Sequence, residues 1–243
     1  MKKLIVANWK CNPVTLQEAK KLFDSIKRGI KNLKNACPEQ DRRAEVVICP
    51  PFVYLTALEI SKYQNIAFGA QDCFWEEKGA YTGEISPAML KNLGVDYVII
   101  GHSERRKYQK ETDEMLNKKL KAGLQTGLKV ILCIDNISRL KKDLSGLAKK
   151  ELSNLIIAYE PIFAIGTGKP CSIEKAKKMR RAIKKEVFNR NIPILYGGSV
   201  NSQNAVNYIR EGGFQGLLIG GASLNIKEFL GIIKNIDLVL ENW

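Results

Sequence analysis

The chain has 243 residues, 45% of them hydrophobic and 26% charged, and its formal net charge is +14. Six scattered cysteines (11, 37, 49, 73, 133 and 171) without a Cys-x-x-Cys pair, and a single histidine, exclude the usual zinc spacings and a disulfide framework. No run approaches the roughly 18 apolar residues of a membrane span, and the apolar stretch after Lys3 is broken at Asn8, too soon for a signal peptide.

Leu4 to Ala7 is the first predicted strand, with Asn8, Trp9 and Lys10 at its C-terminal end. Thr15-Leu16-Gln17-Glu18 has the form of a capping box and opens a helix with apolar residues at 16, 19, 23, 26, 30 and 33. Val46 to Ile48 is the second strand, closed by Pro50-Pro51, and a helix is expected over residues 55–61. Ile66 to Phe68 is a weaker third strand, ending near Gly69-Ala70-Gln71. A longer loop from Asp72 to Gly83 precedes a helix near Pro87 to Leu93. Tyr97 to Ile100 is the fourth strand and runs into Gly101 and His102. The helix that follows is capped by Thr112 and expected to stop at Gly123. Val130 to Cys133 is the fifth strand, followed by a lysine-rich helix over residues 140–152.

The sixth strand, Leu155 to Tyr159, ends abruptly on the carboxylate of Glu160 and on Pro161. Behind it lie four apolar residues, Ile162 to Ile165, and the tract Gly166-Thr167-Gly168. An apolar loop with glycines needs something to lie against: either its own helix permanently, or a ligand beside Glu160 over which it closes as a lid. A helix starts near Ser172, with apolar residues at 173, 176, 179, 183 and 187. Ile194 to Tyr196 is the seventh strand, ending in Gly197-Gly198-Ser199, with a helix near Asn204 to Arg210. Gly216 to Ile219 is the eighth, ending in Gly220-Gly221, before a helix over residues 226–240.

Strand and helix alternate through residues 1–243 without a linker, which predicts one α/β domain, a single closed (β/α)8 barrel. The competing doubly wound sheet would carry its glycine fingerprint after the first strand, where Asn8-Trp9-Lys10 stands instead. In a barrel of this kind the active site lies at the C-terminal ends of the strands. Those ends carry Asn8, Lys10, His102, Glu160, Ser199, Gly220 and Gly221. A partly desolvated carboxylate can act as a base, a neutral imidazole can polarise a carbonyl, and a lysine can stabilise developing negative charge. Backbone N–H groups at Gly166, Ser199, Gly220 and Gly221 could cradle a phosphate. Gly166-Thr167-Gly168-Lys169 is not a nucleotide loop, because Phe163 and Pro170 break the Walker pattern and Cys171 breaks the dinucleotide one. The expected chemistry is proton abstraction beside the carbonyl of a phosphorylated substrate, with no cofactor and no metal.

The tracts Ala7-Asn8-Trp9-Lys10, Gly101-His102-Ser103-Glu104-Arg105-Arg106, Ala158-Tyr159-Glu160-Pro161, Ala164-Ile165-Gly166-Thr167-Gly168-Lys169, Tyr196-Gly197-Gly198-Ser199 and Gly220-Gly221-Ala222-Ser223 together resemble the triosephosphate isomerase family. The resemblance spans the chain. It implies a TIM barrel that interconverts dihydroxyacetone phosphate and glyceraldehyde 3-phosphate, an isomerase of glycolysis and gluconeogenesis. Glu160 would be the base, His102 the electrophile and Lys10 the charge stabiliser, with Asn8 positioning the substrate. Gly166, Ser199, Gly220 and Gly221 would hold its phosphate. Tyr196 and Ser199 would hold the closed lid. It also implies a homodimer, in which the loop from Asp72 to Gly83 inserts into a neighbour and places Thr82 near the partner subunit's Lys10. The alternatives are another phosphosugar barrel enzyme, or an inactive binding protein on the same fold.

Three departures from the family pattern stand out. Phe163 occupies the usual tryptophan position of the lid hinge, and Asp135-Asn136 the place of a Gly-Glu pair. The stretch from Ile137 to Asn154 is shorter than usual. In the family that glutamate accepts from the tryptophan indole, so the first two changes are expected to be linked. The lysines sit in helix-like tracts such as Lys118-Lys119, Lys141-Lys142 and Lys184-Lys185 without interleaved aromatics, as solvated helix faces do. No nucleic-acid or membrane partner is expected, and the location expected is a reducing cytoplasm.

Overall fold

The computed structural model describes residues 2–36, 44–58, 66–187 and 191–241. Eight parallel strands close into a barrel in sequence order. They are β1 (Lys3–Asn8), β2 (Ala44–Cys49), β3 (Ile66–Ala70), β4 (Tyr97–Ile100), β5 (Lys129–Ile134), β6 (Leu155–Tyr159), β7 (Ile194–Gly197) and β8 (Gly216–Ile219). The seam is the β1–β8 pairing, in register from Leu4 opposite Gly216 to Ala7 opposite Ile219. Gly216 is required there, because a Cβ would stand 2.0 Å from the Leu4 carbonyl oxygen, a backbone atom that cannot step aside.

Side chains alternate along each strand. Leu4, Val6, Val47, Ile99, Ile131 and Leu195 belong to the cluster that fills the barrel. Their neighbours Ile5, Ala7, Val46 and Ile48 pack outward, in one cluster with the helices. Helix α1 (Leu16–Ala36) begins with the expected capping box: Glu18 N–H donates to Thr15 Oγ1 at 3.2 Å, and Thr15 N–H donates to Glu18 Oε2 at 3.1 Å. A cap is worth about 1 kcal/mol. Burying Phe23, Ile26 and Ile30 contributes about 1.5–3 kcal/mol each, so packing on the barrel dominates. Leu16, expected on the same face, is instead exposed.

The helices that follow are α2 (Phe52–Leu55), α3 (Pro87–Asn92), α4 (Ser103–Tyr108), α5 (Asp113–Gln125), α6 (Ile137–Asp143), α7 (Ile173–Glu186), α8 (Ala205–Arg210) and α9 (Ile226–Glu241). Four differ from expectation. α2 begins directly after Pro51, ahead of the expected residue 55, and residues 59–61 of that expectation lie outside the described ones. α4 was not expected, because Ser-Glu-Arg-Arg-Lys-Tyr has no apolar stripe and buries none of its residues. α5 runs past Gly123, where a Cβ would come within 3.0 Å of Val130 Cγ2, so that glycine serves close helix–strand packing. The left-handed turn residue is Gly127, at φ 80°. The expected helix over 140–152 is split: α6 ends at Asp143, Gly146 turns at φ 73°, and a 3-10 turn occupies Lys149–Asn154.

Candidate active site

The period of two that fills the barrel also delivers the polar groups to its mouth. Leu4 and Val6 face inward, and Asn8 follows them as the last residue of β1. Ile156 and Ala158 face inward on β6, and Glu160 is the next residue in that alternation. Its backbone N–H continues the sheet by donating to Ile134 O at 2.8 Å. At the end of β7, a Cβ on Gly197 would stand 3.0 Å from Glu160 Cγ and 3.2 Å from Oε1, so glycine makes the room the carboxylate occupies. His102, after β4, caps α4 and is 5% exposed, as are Asn8 and Glu160.

The hydrogen bonds settle the imidazole tautomer. Glu104 N–H donates to His102 Nδ1 at 3.2 Å, so that nitrogen offers a lone pair. The Glu104 carboxylate is 3.6 Å from the same nitrogen, beyond hydrogen-bonding range. In a neutral ring the proton is therefore on Nε2, which faces Glu160 Oε1 at 3.4 Å. Glu160 Oε2 is buried without a hydrogen-bond partner among the described residues. Beside it, burial first and the Glu160 charge second push the Cys133 thiol well above its usual range, so it stays protonated and adds no second anion.

Lys10 is held from several sides. Its Nζ pairs with Glu104 Oε1 at 2.5 Å. Its N–H donates to Asn8 Oδ1 at 3.0 Å, and its carbonyl accepts from Gln71 Nε2 at 2.9 Å. These bonds fix a left-handed backbone, φ 55°. Ser199 is likewise left-handed, φ 49°. Such conformations cost about 1–3 kcal/mol each and persist where the surroundings hold them. Lys119, expected on a solvated helix face, is instead buried in α5, and its Nζ lies 2.6 Å from both Asp72 Oδ2, next to Gln71, and Glu111 Oε1. Arg105 pairs with the same two carboxylates at 2.8 Å each. Burial outweighs Lys119 and pushes the Asp72 carboxyl up to about 6.

Asn8, Lys10, His102, Glu160, Gly166, Ser199, Gly220 and Gly221, all expected at the site, line one cavity of about 320 Å³. Gly168, Gly198, Asn201 and Leu218 also line it and were not among the site residues expected from the sequence. Nor was Glu104, whose contact with Lys10 joins residues 94 positions apart and leaves no local signal. A Cβ on Gly220 would press on Lys10 Cε at 3.1 Å. A Cβ on Gly221 would meet nothing within 4 Å, so no protein atom demands glycine there. The loop over residues 161–171 borders the cavity through Ile165, Gly166 and Gly168, while Ile162 and Phe163 are 55% and 58% exposed. Ser199 Oγ donates to Ala164 O at 2.6 Å, and the Tyr196 hydroxyl accepts from Cys171 N–H at 3.0 Å, so each touches one end of that loop. Among the described residues, no three His, Cys, Asp or Glu side chains are grouped to hold a metal ion.

The family model described as triosephosphate isomerase matches residues 3–236. The chain belongs to the triosephosphate isomerase family. It is 42% identical to the triosephosphate isomerase of Thermoanaerobacter sp. (strain X514), over 95% of this chain and 98% of that one. Identity to the triosephosphate isomerases of Alkaliphilus oremlandii and Lactobacillus delbrueckii subsp. lactis is 41% and 40%, each over 96% of this chain and 99% and 98% of theirs. The barrel thus carries an aldose–ketose isomerase, which interconverts dihydroxyacetone phosphate and D-glyceraldehyde 3-phosphate in glycolysis.

The two departures from the triosephosphate isomerase pattern that are expected to be linked each have a structural setting. Phe163 projects into solvent rather than into a polar partner. Asn136 is the N-cap of α6: its Oδ1 accepts Arg139 N–H at 3.0 Å, and its Nδ2 donates to Asp135 Oδ1 at 2.9 Å. The Asn136 side chain therefore serves as a helix cap.

Proposed function

We propose that Glu160 is the base of this isomerase. Its carboxylate takes a proton from the carbon beside the carbonyl of dihydroxyacetone phosphate, leaving an enediolate, and returns a proton to the neighbouring carbon. His102, neutral with its proton on Nε2, donates to one enediolate oxygen and recovers the proton of the other. Lys10 stabilises the negative charge and Asn8 helps position the substrate. The N–H groups of Gly166, Ser199, Gly220 and Gly221 hold the phosphate. The 161–171 loop closes as a lid and keeps water from the enediolate. The observation that carries this reading is the buried, unpartnered oxygen of Glu160 beside an Nε2–H in a cavity rimmed by glycines. Triosephosphate isomerase is itself the familiar illustration of a glutamate base with a neutral histidine, and these roles carry that illustration to this chain.

The test is a coupled assay of triose phosphate interconversion on the native protein and on Glu160→Gln. Turnover by the native protein and its loss in the variant support the assignment; undiminished turnover in the variant removes Glu160 as the base.

The working form proposed is a homodimer of one-domain subunits in the cytoplasm. The loop after β3 supports the dimer: Phe74 packs on Trp75 and Tyr81, with centroids 4.1 and 4.9 Å apart, while residues 76–84 stand exposed. Val14, Val53, Tyr81 and Met89, from segments following β1, β2 and β3, leave large apolar surface uncovered. Sedimentation at micromolar concentration should give twice the 27.3 kDa chain mass. No helix among the described residues is long and apolar enough to cross a membrane.

A further inference from the structure

The C-terminal end of the 161–171 loop is tied down on both sides of one residue. Cys171 is 3% exposed. Its N–H donates to the Tyr196 hydroxyl at 3.0 Å. Its carbonyl accepts from the hydroxyl of Tyr208, a residue of α8 that is 1% exposed. The two phenol rings are stacked, with centroids 3.7 Å apart and planes 11° from parallel. Proton accounting closes: Tyr208 spends its hydroxyl proton on Cys171 O, and Tyr196 spends its own on Gly198 O at 3.1 Å. Gly198 lines the cavity, in the turn that also holds Ser199. A single stack of phenols therefore connects the end of the loop, the anion-binding turn and α8.

We infer that the Tyr208 hydroxyl is a positioning group for the lid: it clamps the Cys171 carbonyl, so that the loop swings about a fixed post at residue 171. The inference rests on the reading of residues 161–171 as a lid. The geometry distributes freedom accordingly. Gly166 and Gly168 both adopt φ 70° with nothing within 4 Å of a Cβ, whereas Cys171 is buried and bonded through both of its peptide groups. At the opposite end, Ala164 is bonded from Ser199. With the Ser199 and Tyr196 contacts holding the closed position and the Cys171 carbonyl held by Tyr208, the lid closes the same way each time. If the Cys171 carbonyl were free, Tyr196 alone would set that end through one N–H, and the closed position would be less sharply defined. Tyr208 is thus assigned to the closing step and touches neither substrate nor cavity.

Tyr208→Phe removes the hydroxyl and keeps the stacked ring. At 25 °C, well below unfolding, it should lower kcat/KM roughly threefold to tenfold, the worth of one hydrogen bond. The affinity for 2-phosphoglycolate, a carboxylate mimic of the enediolate, should fall by the same factor, because both depend on the closed lid. Tyr208→Leu, which removes ring and hydroxyl, should lose at least as much. In a cycle with Tyr196→Phe the two losses should be non-additive, since both hydroxyls hold one residue. Native-like kcat/KM and 2-phosphoglycolate affinity in Tyr208→Phe, with only a lowered melting temperature, would make the hydroxyl structural and overturn the inference. Additive losses in the cycle would overturn it as well. A native protein without triose phosphate isomerisation would instead defeat the functional reading, an outcome the first assay separates from these.

Discussion

At one end of the cavity, Asn8, His102 and Glu160 present side chains that are each 5% exposed, on strand ends fixed by the barrel. At the other end, Gly166, Ser199, Gly220 and Gly221 present backbone, and one of them rides on an exposed loop. The first end must keep a tautomer, an unpaired carboxylate oxygen and a lysine at set distances, and here the support is dense. Lys10 alone is held through its N–H, its carbonyl and its ammonium group. In the proposed mechanism the second end admits a phosphate and lets it leave, and the N–H groups of Gly166, Gly220 and Gly221, with that of Ser199, would serve that purpose. The proposed mechanism thus places chemistry on the strand ends and access on the loop. The loop over residues 161–171 starts directly after Glu160.

Substitutions can break this contrast, and their expected effects run from large to small. Glu160→Gln should reduce kcat roughly a thousandfold with KM changed little, because it removes a proton acceptor and leaves the anion end intact. A loss below tenfold in steady-state kinetics would contradict the division of labour. Lys119→Met removes the cation shared by Asp72 and Glu111. Leaving two buried carboxylates without it should cost about 3–5 kcal/mol. That lowers the melting midpoint by roughly 10 °C in calorimetry. A shift of a degree or two would show that Arg105 alone suffices.

Gly221→Ala probes the other end. Its Cβ meets no protein atom within 4 Å, so the fold should tolerate it. KM and the inhibition constant of inorganic phosphate should rise together, roughly threefold to tenfold, while kcat stays within about twofold. A fall in kcat with KM unchanged would place residue 221 in the chemistry instead. The smallest effect concerns the hinge. Asn136→Glu gives up the cap on Arg139 N–H and should cost about 1 kcal/mol of stability. Combined with Phe163→Trp, it should show coupling in turnover or inhibitor affinity, and strict additivity would count against a link between these positions.

The contrast also explains what could be read from the chain beforehand. β4, β6 and β8 are continuous apolar runs, and their expected limits agree with the structure to within a residue. The polar groups at their ends were legible for the same reason, since a carboxylate such as Glu160 directly after five buried residues stands out. α4 was not legible, because it is held by the His102 cap rather than by an apolar face. Gly123 reads locally as a helix stop, yet its reason is Val130 on a neighbouring strand. Tyr208 and Glu104 act through contacts 37 and 94 residues away, which depend on how the barrel closes and not on any local pattern. The proposed backbone cradle was visible in the sequence as Gly166, Gly220 and Gly221, and the structure adds that all three line one cavity.

Glu160 is proposed to move a proton between adjacent carbons. The most direct measurement runs the isomerisation in D2O and reads the isotope on the product carbon by NMR. The proposed mechanism puts the substrate proton on a carboxyl that can exchange with solvent, so deuterium should appear at that carbon in the native protein, and turnover should collapse in Glu160→Gln. Product carrying only the original hydrogen, formed at the same rate by both proteins, would contradict a carboxylate base at this site.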